Sequence, residues 1–141
     1  MTTRITVQFL PLGPLKVPTV DVAVQMRRGK GELAEAALLD TGSHLTVFSE
    51  ERLRLSGFPV KEAHEDTGGV VGLGGSERLF YLSNATMAFE GQDGESHFLN
   101  LPRLYFTKVR MPPILGTEDL RRLNARIFLD FFDETGYIEI G

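Results

Sequence analysis

Residues 36–48 decide how this chain is interpreted, and they read Ala36-Ala37-Leu38-Leu39-Asp40-Thr41-Gly42-Ser43-His44-Leu45-Thr46-Val47-Phe48. An apolar run ends at Asp40, and apolar residues alternate with polar ones after the glycine. This pattern predicts a buried strand that carries Asp40 at its end, followed by a turn and a second strand. A buried charge is costly unless it is hydrogen-bonded or its pKa shifts. A hydroxyl from Thr41 can brace such a turn, and Gly42 lets a backbone amide approach the carboxylate.

A second apolar element lies in the last third of the chain. It reads Met111-Pro112-Pro113-Ile114-Leu115-Gly116 and continues into Thr117-Glu118-Asp119-Leu120. Threonine side chains can accept hydrogen bonds from the free amides of a helix N-terminus, and acidic residues are favourable in the first turn. We therefore expect Thr117 to cap a short helix that runs to about Asn124.

These two elements together resemble the active-site loop and the apolar-apolar-Gly element of retropepsin-like aspartic proteases, the single-lobe class that includes the retroviral proteases. The resemblance covers roughly residues 17–140. It implies that the glycine of the second element packs beside the catalytic loop. The implied site residues are the catalytic Asp40, the loop residues Thr41, Gly42 and Ser43, and the apolar-apolar-Gly element Ile114, Leu115 and Gly116.

The composition is that of a folded chain. With 141 residues, 42% of them apolar, it is long enough to bury a core, and we expect a single domain over residues 1–141. A net charge of −4 without a basic cluster argues against nucleic acid as a partner. The chain has no cysteine, and the spacing of its three histidines gives no metal signature. We expect no metal and no cofactor.

The N-terminal residues lack the apolar core of a signal peptide, and no run approaches the roughly 20 apolar residues that a membrane span needs. We therefore expect no membrane association and a cytoplasmic location. The initial Met1 and the absence of a linker argue against a domain cut from a longer precursor.

Alternating apolar residues predict many short strands along the rest of the chain. Residues 1–16 are expected to form an extended N-terminal arm that could serve as an edge strand. Ser49 is expected to cap a short helix that ends before Gly57 and Pro59. Strands are predicted at residues 17–26, 33–39, 45–47, 78–89, 97–106 with an interruption at Pro102, 126–132 and 137–140. The predicted fold is mostly β, a closed acid-protease-like barrel with one or two short helices.

Residues 66–78 contain five glycines within the eight positions 68–75. A phosphate-binding loop would need a Gly-Lys-Ser/Thr sequence, which is absent here. A flexible hairpin and a flap that closes over an extended substrate remain, and we favour the flap because lids need hinges and exposed backbone donors. Retropepsins also have a glycine-rich flap at this position. The predicted flap and substrate-binding residues are Val70, Val71, Gly72, Leu73 and Gly74.

A second Asp-Thr-Gly occurs at Asp66-Thr67-Gly68, but it follows Asp40 too closely to belong to a second lobe. The chain therefore supplies one credible catalytic motif. Peptide hydrolysis by this family needs two carboxylates that share one proton around a water molecule. The resemblance thus implies a homodimer that joins Asp40 from each subunit, with a polypeptide substrate bound as an added strand. Thr41 would brace the two loops, and Ser43 could bond the carboxylate from outside.

The chain departs from the family pattern after the apolar-apolar-Gly element. Many relatives have a basic residue there that helps to hold the dimer, whereas this chain has Thr117-Glu118-Asp119. The N-terminal arm and residues 137–140 could supply intersubunit strands instead. The alternative to an enzyme is a non-catalytic module of the same ancestry that binds extended peptides or a protein partner. The intact Asp40 loop and the flap favour the enzyme, whereas a lasting monomer would favour the module.

Overall fold

A computed structural model describes residues 2–71 and 77–141, which form a mostly β fold with two short helices. The strands in chain order are β1 (Thr3–Leu12), β2 (Leu15–Met26), β3 (Glu32–Leu39), β4 (Val47–Ser49), β5 (His64–Val71), β6 (Glu77–Glu90), β7 (Ser96–Thr107), β8 (Ile114–Leu115), β9 (Arg126–Asp130) and β10 (Thr135–Ile140). The helices are α1 (Glu50–Leu55) and α2 (Thr117–Arg122), and a single 3₁₀ turn covers Val60–Glu62. The mostly β class and the two short helices are confirmed.

The strands of the described residues belong to one sheet with the order β5-β6-β7-β4-β8-β3-β2-β1-β10-β9. Strand β6 also pairs with β2, in the register Ala23↔Ala88 to Met26↔Ala85. This pairing closes β6, β7, β4, β8, β3 and β2 into a ring. The ring accounts for the closed arrangement that the sequence predicts.

The core fills the inside of this ring. In β2, the side chains of Val20, Val22 and Val24 alternate with exposed ones and are at most 3% exposed. Phe48 and Phe106 are buried against them in the same cluster. Each such side chain contributes about 1.5–3 kcal/mol by leaving water, and the alternation fixes which face of each strand points inward.

The two terminal strands pair with each other within the chain. β1 and β10 are antiparallel, from Thr3↔Ile140 to Gln8↔Thr135, and β1 pairs on its other side with β2. Apolar side chains of both strands join the core. The N-terminal arm is therefore an interior strand, and the expectation of an edge strand is wrong. The edge position is taken instead by β9, which pairs with β10.

The predicted interruption at Pro102 is wrong, because β7 continues through this residue. The ladder between β6 and β7 omits a pair opposite the proline. The opposing residue, Asn84, has a φ of 65° and gives its carbonyl to the Arg27 amide at 3.0 Å. A proline has no N–H to donate to a ladder. The sheet accommodates it because its partner turns away and finds another hydrogen bond.

The two helices begin in different ways. The predicted cap of α1 is confirmed, since Ser49 Oγ accepts a hydrogen bond from the Arg52 amide at 3.4 Å. The predicted cap of α2 is wrong: Gly116 occupies the N-cap position and no side chain caps the helix. Backbone carbonyls of the Asp40 loop bond the first amides of α2 instead. Neither described helix is long and apolar enough to cross a membrane. The cytoplasmic location stays a prediction.

Candidate active site

Asp40 follows directly on the last residue of β3, at the point where this strand meets β8. The two strands are parallel, with Leu38 opposite Ile114 and Leu39 opposite Leu115. The Asp40 amide donates to the Leu115 carbonyl at 3.3 Å. The backbone of Asp40 is therefore fixed by a buried pair of strands, while its side chain is half-buried at the end of that pair.

The turn after Asp40 holds the carboxylate by backbone contacts. The Gly42 amide donates to Asp40 Oδ1 at 2.9 Å, and the Ser43 amide donates to the Asp40 carbonyl at 3.2 Å. The hydrogen bond from the Gly42 amide fixes the orientation of the Asp40 side chain. Thr41 and Gly42 are exposed at the tip of the turn.

Gly116 packs against the other side of the loop at a distance that only glycine allows. A Cβ at this position would lie 2.3 Å from both the carbonyl carbon and the carbonyl oxygen of Leu45, and 2.8 Å from the His44 oxygen. The Gly116 amide donates to Thr46 Oγ1 at 3.0 Å in a buried hydrogen bond. Gly116 thus packs beside the Asp40 loop, and its amide is held by Thr46, a residue that the sequence analysis did not single out.

The first residues of helix α2 are hydrogen-bonded to the backbone of the Asp40 loop. The amides of Thr117 and Glu118 donate to the carbonyls of Ser43 and His44 at 2.9 and 3.0 Å. The free amides at the start of a helix need such acceptors, and here the loop supplies them. An exposed contact of 3.6 Å between His44 and Glu118 adds little, because solvent screens it.

Not all of the predicted site residues meet at Asp40. The Ser43 hydroxyl donates to the Leu45 carbonyl at 2.8 Å, so in the single chain it does not bond the carboxylate. Of the predicted flap, Gly72, Leu73 and Gly74 lie outside the described residues, and the flap stays a prediction. Val70 and Val71 belong to the end of β5.

The second Asp-Thr-Gly lies on β5, away from the Asp40 loop in the sheet order. Asp66 Oδ2 lies 3.5 Å from Arg103 Nη1 on β7. A hydrogen bond with Tyr105, together with the neighbouring Tyr81, raises the pKa of the Arg103 guanidinium above its ordinary value. The aspartate therefore has a structural environment that includes a permanent cation.

A pocket of about 300 Å³ lies beside the loop, between β7 and α2. Its lining includes Leu45 and Thr46 from the loop, Arg103 and Tyr105 from β7, and Arg122 from α2, but not Asp40. The pocket therefore adjoins the predicted catalytic residue without containing it. Among residues 2–71 and 77–141 no group of three or more acidic or histidine side chains could hold a metal ion.

Comparisons with known proteins identify the family and the fold of this chain. The sequence model of one family, described as retroviral aspartyl protease, matches residues 16–128. The structure is similar to that of EIAV protease complexed with the inhibitor HBY-793, with a TM-score of 0.58 and 22% identity, covering 85% of this chain and 100% of that chain. It is also similar to a retropepsin-like aspartic protease from Rickettsia conorii, with a TM-score of 0.56 and 11% sequence identity. The match covers 99% of this chain and 93% of that chain. The comparison with curated protein sequences returns no match. At these identities the structural likeness shows the fold.

Proposed function

This chain belongs to the retroviral aspartyl protease family, and from that premise we propose that it is an aspartic endopeptidase that acts as a homodimer on polypeptides. The observation that carries the proposal is the construction of the Asp40 loop. A carboxylate stands at the end of a strand pair and is oriented by the Gly42 amide at 2.9 Å, and Gly116 packs against the backbone of Leu45 and His44 in the same loop. A loop that served only to connect two strands would have no need of this arrangement.

The chemistry requires a second carboxylate, which the partner's Asp40 would supply. Two carboxylates roughly 3 Å apart do not both ionise easily, so one is an acid and the other a base. The base removes a proton from a water molecule, whose oxygen attacks the peptide carbonyl carbon. The acid protonates the carbonyl oxygen, and the C–N bond then breaks with transfer of a proton to the amine.

The remaining predicted residues would position the loops and the substrate. Thr41 is exposed at the tip of the turn, where its hydroxyl can reach the equivalent loop of a partner. An extended peptide would bind as an added strand beneath the flap of residues 66–78. Strands β5 and β6 contain the two described ends of this segment and pair antiparallel, from His64↔Tyr81 to Val71↔Glu77.

The test is cleavage of a mixed library of unstructured peptides, read by mass spectrometry from acidic to neutral pH. The control is Asp40→Asn, which retains the shape of the side chain and its ability to accept from the Gly42 amide. We expect the substitution to reduce cleavage by at least about 10²-fold, because it removes the group that accepts and donates the proton. Circular dichroism of both proteins should show the same fold.

The alternative function, a non-catalytic module that binds peptides, makes the opposite prediction. A chain that remains monomeric and gives no cut that depends on Asp40 would support the module. A stable dimer without cuts would instead indicate a narrow substrate range. Cuts that persist in Asp40→Asn would come from a contaminating protease or from another site.

A further inference from the structure

A pocket of about 380 Å³ lies where the turn between β2 and β3 meets β6. The described residues that line it are Arg27 and Arg28 from the turn and Ser83 and Asn84 from the strand, and we call it the arginine pocket. Strand β3 lies between this turn and Asp40, and its 8 residues span about 26 Å. The arginine pocket is therefore remote from the candidate active site.

The residues that line the arginine pocket can all donate hydrogen bonds. A guanidinium group has donors and no acceptor, and the hydroxyl and the side-chain amide can each donate as well. The described lining includes no acidic side chain. Neither arginine forms an ion pair with a carboxylate of residues 2–71 and 77–141. Such a pocket favours an anion, although the chain as a whole carries a net charge of −4.

The backbone around the pocket is held by hydrogen bonds. Strands β2 and β6 pair as far as Met26 and Ala85, and the Arg27 amide then donates to the Asn84 carbonyl at 3.0 Å. Within the turn, the Met26 amide donates to the Gly31 carbonyl at 3.1 Å. The turn that carries the arginines is therefore tied to the strand that carries the two uncharged donors.

Ser83 and Asn84 line the same pocket although they are neighbours in a strand. Successive side chains of a strand normally point to opposite faces of the sheet. Asn84 departs from this alternation because its φ is 65°, and both residues are exposed. Residues in sparsely populated backbone conformations cluster at ligand sites. The left-handed backbone at Asn84 thus accommodates Pro102 and also brings a further donor to the pocket.

We propose that the arginine pocket binds a phosphate group, either as free inorganic phosphate or as a phosphomonoester. At neutral pH a phosphomonoester carries a charge of about −1.5 to −2 and three strong acceptor oxygens. These match two guanidinium groups, which bind phosphate through parallel hydrogen bonds, and two uncharged donors. A carboxylate has a single charge and fewer acceptors, so it would leave donors of the pocket unused. The site is independent of the proposed endopeptidase activity.

The test is a titration of the ¹⁵N-labelled protein with inorganic phosphate, at constant ionic strength with chloride as the balancing anion. We expect the backbone amide resonances of residues 27, 28, 83 and 84 to shift and to reach saturation. The double variant Arg27→Gln/Arg28→Gln should bind phosphate at least about tenfold more weakly, because both charged hydrogen-bond donors are lost. Shifts that never saturate, or equal affinity in the double variant, would overturn the proposal.

The matched control is Arg54→Gln/Arg121→Gln. It removes the same number of charges from exposed arginines that do not line the pocket. Its affinity for phosphate should equal that of the natural chain. If the control lost as much affinity as the pocket variant, phosphate would be responding to the net charge of the protein, and the site would be wrong.

Asn84→Gly separates the amide donor from the backbone conformation. Glycine adopts a positive φ without strain, so the fold should be retained while the side-chain amide is lost. We expect phosphate to bind about threefold more weakly to this variant. Unchanged affinity would show that Asn84 does not contact the ligand, which contradicts the site as proposed.

Two further titrations identify the form of the ligand. Phenyl phosphate that binds more tightly than inorganic phosphate would assign the pocket to a phosphomonoester, whereas weaker or equal binding would assign it to free phosphate. Benzoate has the same ring with a carboxylate in place of the phosphate. If benzoate bound as tightly as phenyl phosphate, the preference for phosphate would be wrong.

Discussion

The orientation of the Asp40 carboxylate depends on backbone atoms of its neighbours. The Gly42 amide bonds the carboxylate, and the Leu115 carbonyl accepts from the Asp40 amide. Backbone groups are fixed by the strands and turns that contain them, so they lose little further freedom when they orient a side chain. The precision of the candidate site therefore follows from the close packing of two chain segments, and Gly116 is the residue that allows this packing.

Substitution of Gly116 by alanine should destabilise the protein strongly. The new Cβ would lie 2.3 Å from the Leu45 carbonyl, and backbone atoms cannot move aside as a flexible side chain would. We expect a loss of at least about 2 kcal/mol in the free energy of unfolding, at the upper end of overpacking effects. Urea denaturation followed by circular dichroism would measure it.

The matched control for this substitution is Gly94→Ala. Gly94 has a φ of +83°, but a Cβ there would meet nothing within 4 Å. The cost should be only that of the left-handed backbone, about 1 kcal/mol. Equal losses at positions 94 and 116 would show that the close approach at Gly116 is not the source of the effect.

At this scale the sequence identifies the residues with a local signature and misses those that act at a distance. Asp40 and Gly42 stand in one short motif, and Gly116 ends a recognisable apolar element. Thr46 gave no such signal, because its hydrogen bond partner is the Gly116 amide, 70 residues away. Ser43 was expected to face the carboxylate, but its own loop offers it the nearer acceptor at Leu45.

Elements whose ends are set by local chemistry were predicted well. Ser49 caps α1 because a serine followed by two glutamates satisfies the free amides and the helix dipole. Elements whose ends are set by partners distant in the sequence were predicted poorly. Thr117 does not cap α2, because carbonyls of the Asp40 loop bond its amides, and Pro102 does not interrupt β7, because Asn84 adapts to it.

The adaptation at Asn84 makes a prediction for strand β6. The φ of 65° at Asn84 raises the conformational free energy of most residues, raises it less for asparagine, and does not raise it for glycine. Asn84→Ala should therefore lower the free energy of unfolding by about 1 kcal/mol, whereas Asn84→Gly should leave it nearly unchanged. Thermal or urea denaturation would measure both.

The neighbouring Ser83 is exposed on the same strand and provides the control, since Ser83→Ala changes no left-handed residue. It should have little effect. An alanine at position 84 that is as stable as a glycine there would mean that the backbone relaxes to a negative φ, and that Pro102 is accommodated in another way.

The whole molecule combines a core formed within one chain with a single Asp40 loop. The ring of strands closes within one chain, and β1 and β10 pair although they lie at opposite ends of the sequence. No local pattern specifies a pairing over this distance, which is why the N-terminal arm was expected to be an edge. Because each core is complete, a single chain should remain folded on its own, and dimerisation should control activity without controlling folding.

This separation predicts how activity depends on concentration. If each active site needs Asp40 from two chains, the initial cleavage rate below the dimer dissociation constant should rise with the square of the total protein concentration, by mass action. The circular dichroism signal per chain should stay constant over the same range. An excess of folded Asp40→Asn protein should suppress the activity of the natural chain by capturing it in dimers with one carboxylate. A rate that rises linearly and is indifferent to the added variant would mean that one chain carries the whole site.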